Sequence, residues 1–182
     1  MGEEAKYLDV FPGWLRSLGD DAEAIAAVVG AAGASDAARQ FLAGGLNYMF
    51  KSIDLVPDGT DHIGFLDDAF VLRVAADLAL REDTKGIPAE SLKALAALSG
   101  HSDTIKAFLG EDFARFEAYV SNLRKGVARG RSVADILSDA STRRDFLSDV
   151  SGFSKSYSPP SFSREDKNLV RLKAFLDAKL PK

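Results

Sequence analysis

Six side chains that bind hard metal ions or carry protons lie within residues 51–68, KSIDLVPDGTDHIGFLDD. Carboxylates suit magnesium or calcium, and a histidine nitrogen would extend the choice to manganese or zinc. A bound divalent metal can activate a water molecule for hydrolysis. One interpretation is therefore a metal-dependent hydrolase, whose metal ligands would be Asp54, Asp58, His62, Asp67 and Asp68. The spacing matches neither the EF-hand loop nor the zinc motif H-E-x-x-H.

The same acids also fit a structural role at a corner between two helices. At 100° per residue, Asp68 lies on the apolar face of the helix that follows, whereas Asp67 lies nearer its polar side. An inward carboxylate needs hydrogen-bond donors, and the preceding turn offers backbone N–H groups at Leu55 and Val56. We therefore expect Asp68 to hold the turn as a structural latch, and we prefer this interpretation to a metal site. The motif residues are then Ser52, Asp54, Pro57, Asp58, Gly64 and Asp68.

This stretch resembles the signature of the YkvA-like family, a small bacterial domain of unknown function. The residues that match the family pattern are Ser52, Asp54, Leu55, Pro57, Asp58, Gly64, Leu66, Asp67 and Asp68, after the aromatic Tyr48. The likeness covers only residues 40–80, and it implies a helical hairpin with an acidic turn and no established catalysis. Ile53 stands where the family has proline, and the polar residues 59–62 replace an apolar stretch. This polar loop weakens the alternative of peripheral membrane association.

Composition excludes several classes of site. The chain has 182 residues and no cysteine, so disulfides, thiolate zinc sites and cysteine nucleophiles are absent. The net charge of −4 disfavours nucleic acid as a partner, because phosphate binding needs a basic field. No apolar run approaches the roughly 20 residues that span a bilayer, and the acidic start lacks the pattern of a signal peptide. These features predict a soluble cytoplasmic protein.

Helical periodicity runs through nearly the whole chain, and alternating strand-like runs are absent. The first predictions are a short docking turn over residues 9–19 and a helix that Asp20 begins, ending near residue 30. Further helices are predicted over residues 36–52, 64–81, 88–100 and 102–123. Residues 131–150 predict two short helices with Ser132 and Ser141 as N-caps.

The C-terminal part predicts an arm followed by a helix. Residues 151–163 are rich in serine and proline, and their three rings, Phe153, Tyr157 and Phe162, suggest an arm docked on the body. A last helix within residues 164–182 carries leucines on one face and offers a surface for a protein partner or a second copy.

The centre of the fold is predicted at residues 36–82. Gly44 and Gly45 lie within a helix, where each costs about 1 kcal/mol relative to alanine, so a second helix should cross closely there. The helix 64–81 offers alanines for that contact, and Arg73, Asp77 and Arg81 should form a solvated stripe on it.

Together these patterns predict an all-α protein, a compact multi-helix bundle with a central close-packed helix pair and a C-terminal helix on an extended arm. We divide the chain into a helical domain 1–150, the arm 151–163 and the helix 164–182. No catalytic constellation is complete, so we expect a non-enzymatic binding or scaffold domain without a cofactor. The alternatives are the metal-dependent hydrolase and a peripheral membrane protein.

Overall fold

The computed structural model describes residues 2–182 and consists almost entirely of helices, which confirms the all-α prediction. A two-residue antiparallel hairpin, β1 (Val127–Ala128) and β2 (Arg131–Ser132), is the main interruption. Among residues 2–182, no helix has both the length and the apolar character that crossing a membrane requires. The helices are α1 (Glu3–Val29), α2 (Asp36–Tyr48), α3 (Leu66–Leu80), α4 (Ala89–Ser99), α5 (Ser102–Leu109), α6 (Phe113–Asn122), α7 (Val133–Ser138), α8 (Ala140–Ser156) and α9 (Asp166–Lys179).

Helix α3 is the centre of the bundle. Its residues are apolar on nearly every side, and it contacts α1, α2, α4, α5 and α6. A helix that is apolar all round must be buried by its neighbours, and all of its residues except Asp77 and Leu80 are buried. The aromatic rings of Phe11, Phe70 and Phe108 meet edge to face at its α1 and α5 sides.

Helices α2 and α3 cross closely, as the glycine pair predicts. A methyl group at Gly45 would lie only 2.9 Å from Cβ of Ala75. Gly44 faces the 3₁₀ turn Leu123–Lys125, where the same methyl group would lie 2.8 Å from the backbone nitrogen of Arg124. Each glycine therefore permits a different neighbour to approach α2.

The N-terminal region differs from the prediction. The expected docking turn and the helix expected from Asp20 are one continuous helix, α1, with Pro12 inside it. Phe11, Trp14 and Leu15 on either side of the proline are buried in the core. Most helical stability in proteins comes from packing of an apolar face, and that packing outweighs the hydrogen bond that Pro12 cannot make.

The boundary of the C-terminal arm also differs. Helix α8 is capped by the carboxylate of Asp139, which accepts from the N–H of Thr142, and not by Ser141. The helix continues to Ser156, so the arm comprises residues 157–165. The rings are docked as expected, and the hydroxyl of Tyr157 donates to the carbonyl of Leu15 at 2.7 Å.

The polar stripe on α3 is only partly as predicted. Arg81 is exposed and pairs with Asp77 at 2.7 Å, which agrees with the prediction. Arg73 was expected beside them in solvent, but it is 1% exposed and pairs with Asp21 of α1 at 3.1 Å. Helices α1 and α4 both pack over this end of the stripe, and so they enclose the guanidinium.

Candidate functional site

Residues 51–68, here called the acidic turn, connect the end of α2 to the start of α3. Gly64 allows the turn to close tightly, because a Cβ at this position would lie 2.1 Å from the carbonyl oxygen of Asp58. Phe65 then takes a left-handed conformation, with φ of 67°, and α3 begins at the next residue. Asp67 and Asp68 therefore lie in the first turn of α3, where the helix dipole favours negative charge.

One carboxylate oxygen holds the acidic turn in place. Oδ2 of Asp67 accepts hydrogen bonds from the hydroxyl of Tyr48 and from the N–H of Val56, the latter at 3.1 Å. The hydroxyl oxygen of Tyr48 in turn accepts from the N–H of Leu55 at 2.7 Å. All of these groups are buried, so the backbone of the turn is fastened to α2 and α3 at once. We call the side chains of Tyr48 and Asp67 the latch.

The latch uses a different aspartate from the one expected. The helical phase predicts Asp68 as the buried acid and Asp67 as the more polar one, yet both are buried and Asp67 makes the backbone contact. The reason is that α3 is surrounded on all sides, so it has no polar side at this end. Oδ2 of Asp68 is buried and has no hydrogen-bond partner among residues 2–182.

The four aspartates that match the family pattern have different surroundings. Asp54 is half-buried, and its Oδ1 has no partner among the described residues, while Asp58 is exposed. Lys179 contacts the backbone of Asp54 and not its carboxylate, since Nζ of Lys179 donates to the carbonyl oxygen of Asp54 at 3.0 Å. Within residues 2–182, no lysine, arginine or histidine forms a salt bridge with any of the four carboxylates. The acids therefore have no ion-pair partner, although the charges of Lys179 and Lys51 lower the pKa of Asp54.

Burial without an ion-pair partner raises the pKa values of these acids. Loss of hydration, followed by the charges of Asp58 and Asp67, raises the pKa of Asp54 to about 7. Desolvation raises the pKa of Asp67, although the hydrogen bonds from Tyr48 and Val56 oppose the increase. The pKa of Asp68 is raised well above its ordinary value by complete burial and then by the charge of Asp67. All three shifts favour the protonated carboxyl.

The phenol of Tyr48 is also shaped by its surroundings. Desolvation and then the charge of Asp67 raise its pKa far above the ordinary value. The hydroxyl consequently keeps its proton and always donates to Asp67. The sequence marks Tyr48 only as part of the family pattern. Its position at the buried end of α2, directly before the turn, is the signal that could have suggested its role.

His62 belongs to a different contact. Its Nδ1 lies 3.1 Å from the backbone nitrogen of Ser163 and 3.0 Å from the carbonyl oxygen of Ser161, so the arm contacts the ring.

Ser52 and Pro57 are exposed at the surface of the turn. Among residues 2–182, no three or more His, Cys, Asp or Glu side chains are grouped so that they could hold a metal ion.

Comparison with family models, with curated proteins and with solved structures found no significant match to this chain.

Proposed function

We propose that the protein is a non-enzymatic helical binding or scaffold domain in which the acidic turn is a structural latch. The observation that carries the proposal is the use of Oδ2 of Asp67, which accepts from Tyr48 and from the N–H of Val56 inside the protein. Asp67 is 0% exposed, so this oxygen is engaged in the fold and faces no substrate. The likeness of residues 40–80 to the bacterial YkvA-like family and a cytoplasmic location are part of the same proposal.

The binding face of this domain is the C-terminal segment. Val170 on α9 is 66% exposed, whereas its neighbour Leu169 is buried against the body. Helix α9 follows an extended arm, and a helix connected in this way is able to dock on a protein partner or on a second copy of the chain. Light scattering coupled to gel filtration, with Val170→Lys as the variant, tests self-association.

The latch is tested by removing its acceptor. Asp67→Ala leaves two buried donors, the hydroxyl of Tyr48 and the N–H of Val56, without a partner. Each orphaned donor costs about 1–3 kcal/mol, so for the two donors we expect urea denaturation to show a loss of roughly 2–6 kcal/mol. The matched control is Asp61→Ala, at an exposed aspartate of the same turn, with a change within about 0.5 kcal/mol. Equal stability of the two variants would contradict the latch.

One observation favours the metal-dependent hydrolase as a second candidate. Asp54, Asp67 and Asp68 each have a buried carboxylate oxygen without a hydrogen-bond partner in the described chain. A divalent metal bound to the native state must stabilise it, so thermal melts with EDTA and with magnesium, manganese or calcium separate the two candidates. Coincident melting curves support the latch, and a rise with added metal supports the hydrolase. A hydrolase activity that Asp68→Asn abolishes without unfolding the protein would overturn the non-enzymatic proposal.

A further inference from the structure

A groove of about 530 Å³ lies between α1 and α4, on a side of α3 that the acidic turn does not occupy. Its walls are lined by small residues, among them Gly13 and Ala24 of α1 and Ala94 and Ala97 of α4. Ligand pockets of this size are typically apolar and contain a few converging polar groups. We call it the α1–α4 groove.

The floor of the groove is a buried arginine with fixed partners. The guanidinium of Arg73 is 1% exposed and lies 4.5 Å from the ring centre of Trp14. Its Nη2 donates to Oδ2 of Asp21 at 3.1 Å, and its Nη1 donates to the carbonyl of Ala69 at 3.1 Å. Its Nε donates to Nδ1 of His101, also at 3.1 Å. Arg73 therefore fixes the orientation of two polar side chains that line the groove, those of Asp21 and His101.

These contacts determine what His101 offers to a ligand. Arginine can only donate, so Nδ1 of His101 must accept and the ring proton of the neutral imidazole is on Nε2. Burial, and then the charge of Arg73, lower the pKa of His101, so the ring stays neutral at physiological pH. The ring stacks on Trp14, with centroids 5.2 Å apart, which holds its plane. His101 thus offers an uncharged N–H donor.

Asp21 offers the complementary acceptor. The hydroxyl of Ser17 donates to Oδ2 of Asp21 at 2.7 Å, and Arg73 donates to the same oxygen. No donor among residues 2–182 is bonded to Oδ1, so this oxygen keeps its acceptor capacity. The charges of Asp21 and Arg73 cancel within the groove. An anion would meet the carboxylate, while the guanidinium is directed at protein acceptors and cannot bind it. A cation would gain little net attraction, because Arg73 already neutralises the charge of Asp21.

We propose that the α1–α4 groove binds a small neutral amide, whose carbonyl accepts from Nε2–H of His101 and whose N–H donates to Oδ1 of Asp21. The apolar part of the ligand lies against the small residues of the walls, Gly13, Ala94 and Ala97. The proposal concerns different residues from the acidic turn and does not depend on the function proposed for that turn.

Trp14 is the only tryptophan of the chain, so its indole N–H gives a single nuclear magnetic resonance signal at the floor of the groove. The probes are four molecules of one shape: benzamide, acetophenone without the N–H donor, anionic benzoate and cationic benzamidine. We expect a saturable shift of the indole signal with benzamide and at least roughly tenfold weaker binding of the other three, which corresponds to about 1.4 kcal/mol. A shift that does not saturate, or equal affinity for acetophenone, would overturn the proposal.

Two variants locate the binding. Ala97→Leu fills the groove from an exposed position of α4, and it should lower the benzamide affinity at least tenfold while the melting curve stays unchanged. His101→Phe keeps an aromatic ring on Trp14 and removes the N–H donor, with the same expected loss. The matched control is His62→Phe, at the other histidine of the chain, which should bind as the wild type does. Unchanged affinity in Ala97→Leu would place the probe elsewhere and refute the proposal.

Discussion

Arg73 and Arg81 lie just over two turns apart on α3, yet their side chains have opposite surroundings. Arg81 is 53% exposed in its side chain and bridges Asp77 and Glu117 at the surface. Arg73 is enclosed, and burial lowers its pKa to about 10, although its partner Asp21 acts in the opposite direction. Arg73 is still charged at neutral pH. It contributes to stability through the hydrogen bonds that it donates to Asp21, His101 and the carbonyl of Ala69.

This difference predicts unequal effects of one substitution at the two arginines. Arg73→Met leaves Nδ1 of His101 without its donor and leaves Asp21 without its cation, with only the hydroxyl of Ser17 still bonded to the carboxylate. Breaking a buried pair in this way costs about 3–5 kcal/mol. Arg81→Met removes exposed pairs, and the expected loss is at most about 1 kcal/mol. Urea denaturation of both variants measures the difference, and similar losses would show that burial of Arg73 adds nothing.

At the scale of elements, the crossing of α2 and α3 determines where the acidic turn lies. Gly45 contacts α3 at Ala75 with no room for a methyl group. The end of α2 then places Tyr48 against the start of α3, within reach of Asp67. The latch is therefore a consequence of how closely the two helices approach.

Close approach predicts that a better helix former will destabilise this crossing. Gly45→Ala gains up to about 1 kcal/mol of helix propensity, but the added methyl group overlaps Ala75 and overpacking costs about 1–3 kcal/mol. We expect a net loss of up to about 2 kcal/mol. Gly152→Ala in α8 is the matched control, because a Cβ there meets nothing within 4 Å, and it should stabilise the protein by up to about 1 kcal/mol. Thermal denaturation that shows a gain for both variants would contradict the close crossing.

Sequence periodicity predicted most helices, because spacing along one chain determines which face of a helix is apolar. Gly44 and Gly45 predicted the α2–α3 contact because glycine lowers the stability of a helix, and close packing of a second helix offsets that loss. Periodicity failed at Pro12, where packing of distant residues keeps α1 continuous. It also failed at Arg73 and Asp67, whose surroundings depend on which helices pack around α3 and not on their own positions in it.

At the scale of the whole molecule, four aspartates without an ion-pair partner, Asp54, Asp58, Asp67 and Asp68, lie in a protein whose net charge is already −4. The ionisable groups that influence these acids come from several elements, namely Tyr48, Lys51, Tyr119, Tyr157 and Lys179. None of these side chains forms a salt bridge with the acids in the described chain, so ionisation of the cluster opposes folding. The fold therefore favours the protonated form of these acids.

This predicts a pH dependence of stability with an unusual sign for carboxylates. A folded pKa raised above the unfolded value, which is about 3.9 for aspartate, gives stability that is present at low pH and lost as pH rises through the folded value. For Asp54 that loss extends to about pH 7, and Asp68, whose pKa is raised well above its ordinary value by burial, acts in the same direction. His101, whose pKa is lowered, acts in the opposite direction in the same range. The comparison must therefore isolate one acid.

Asp68→Asn isolates that acid, because the amide has nearly the shape of the protonated carboxyl and cannot ionise. Urea denaturation between pH 5 and pH 8 should show the stability of Asp68→Asn, relative to wild type, increasing by up to about 1.4 kcal/mol per pH unit. The contribution of His101 is common to both proteins and cancels in the difference. The matched control is Asp61→Asn, at an exposed aspartate of the same turn, and Asp68→Asn should show the larger change between pH 5 and pH 8. A difference for Asp68→Asn that stays constant with pH would contradict the prediction.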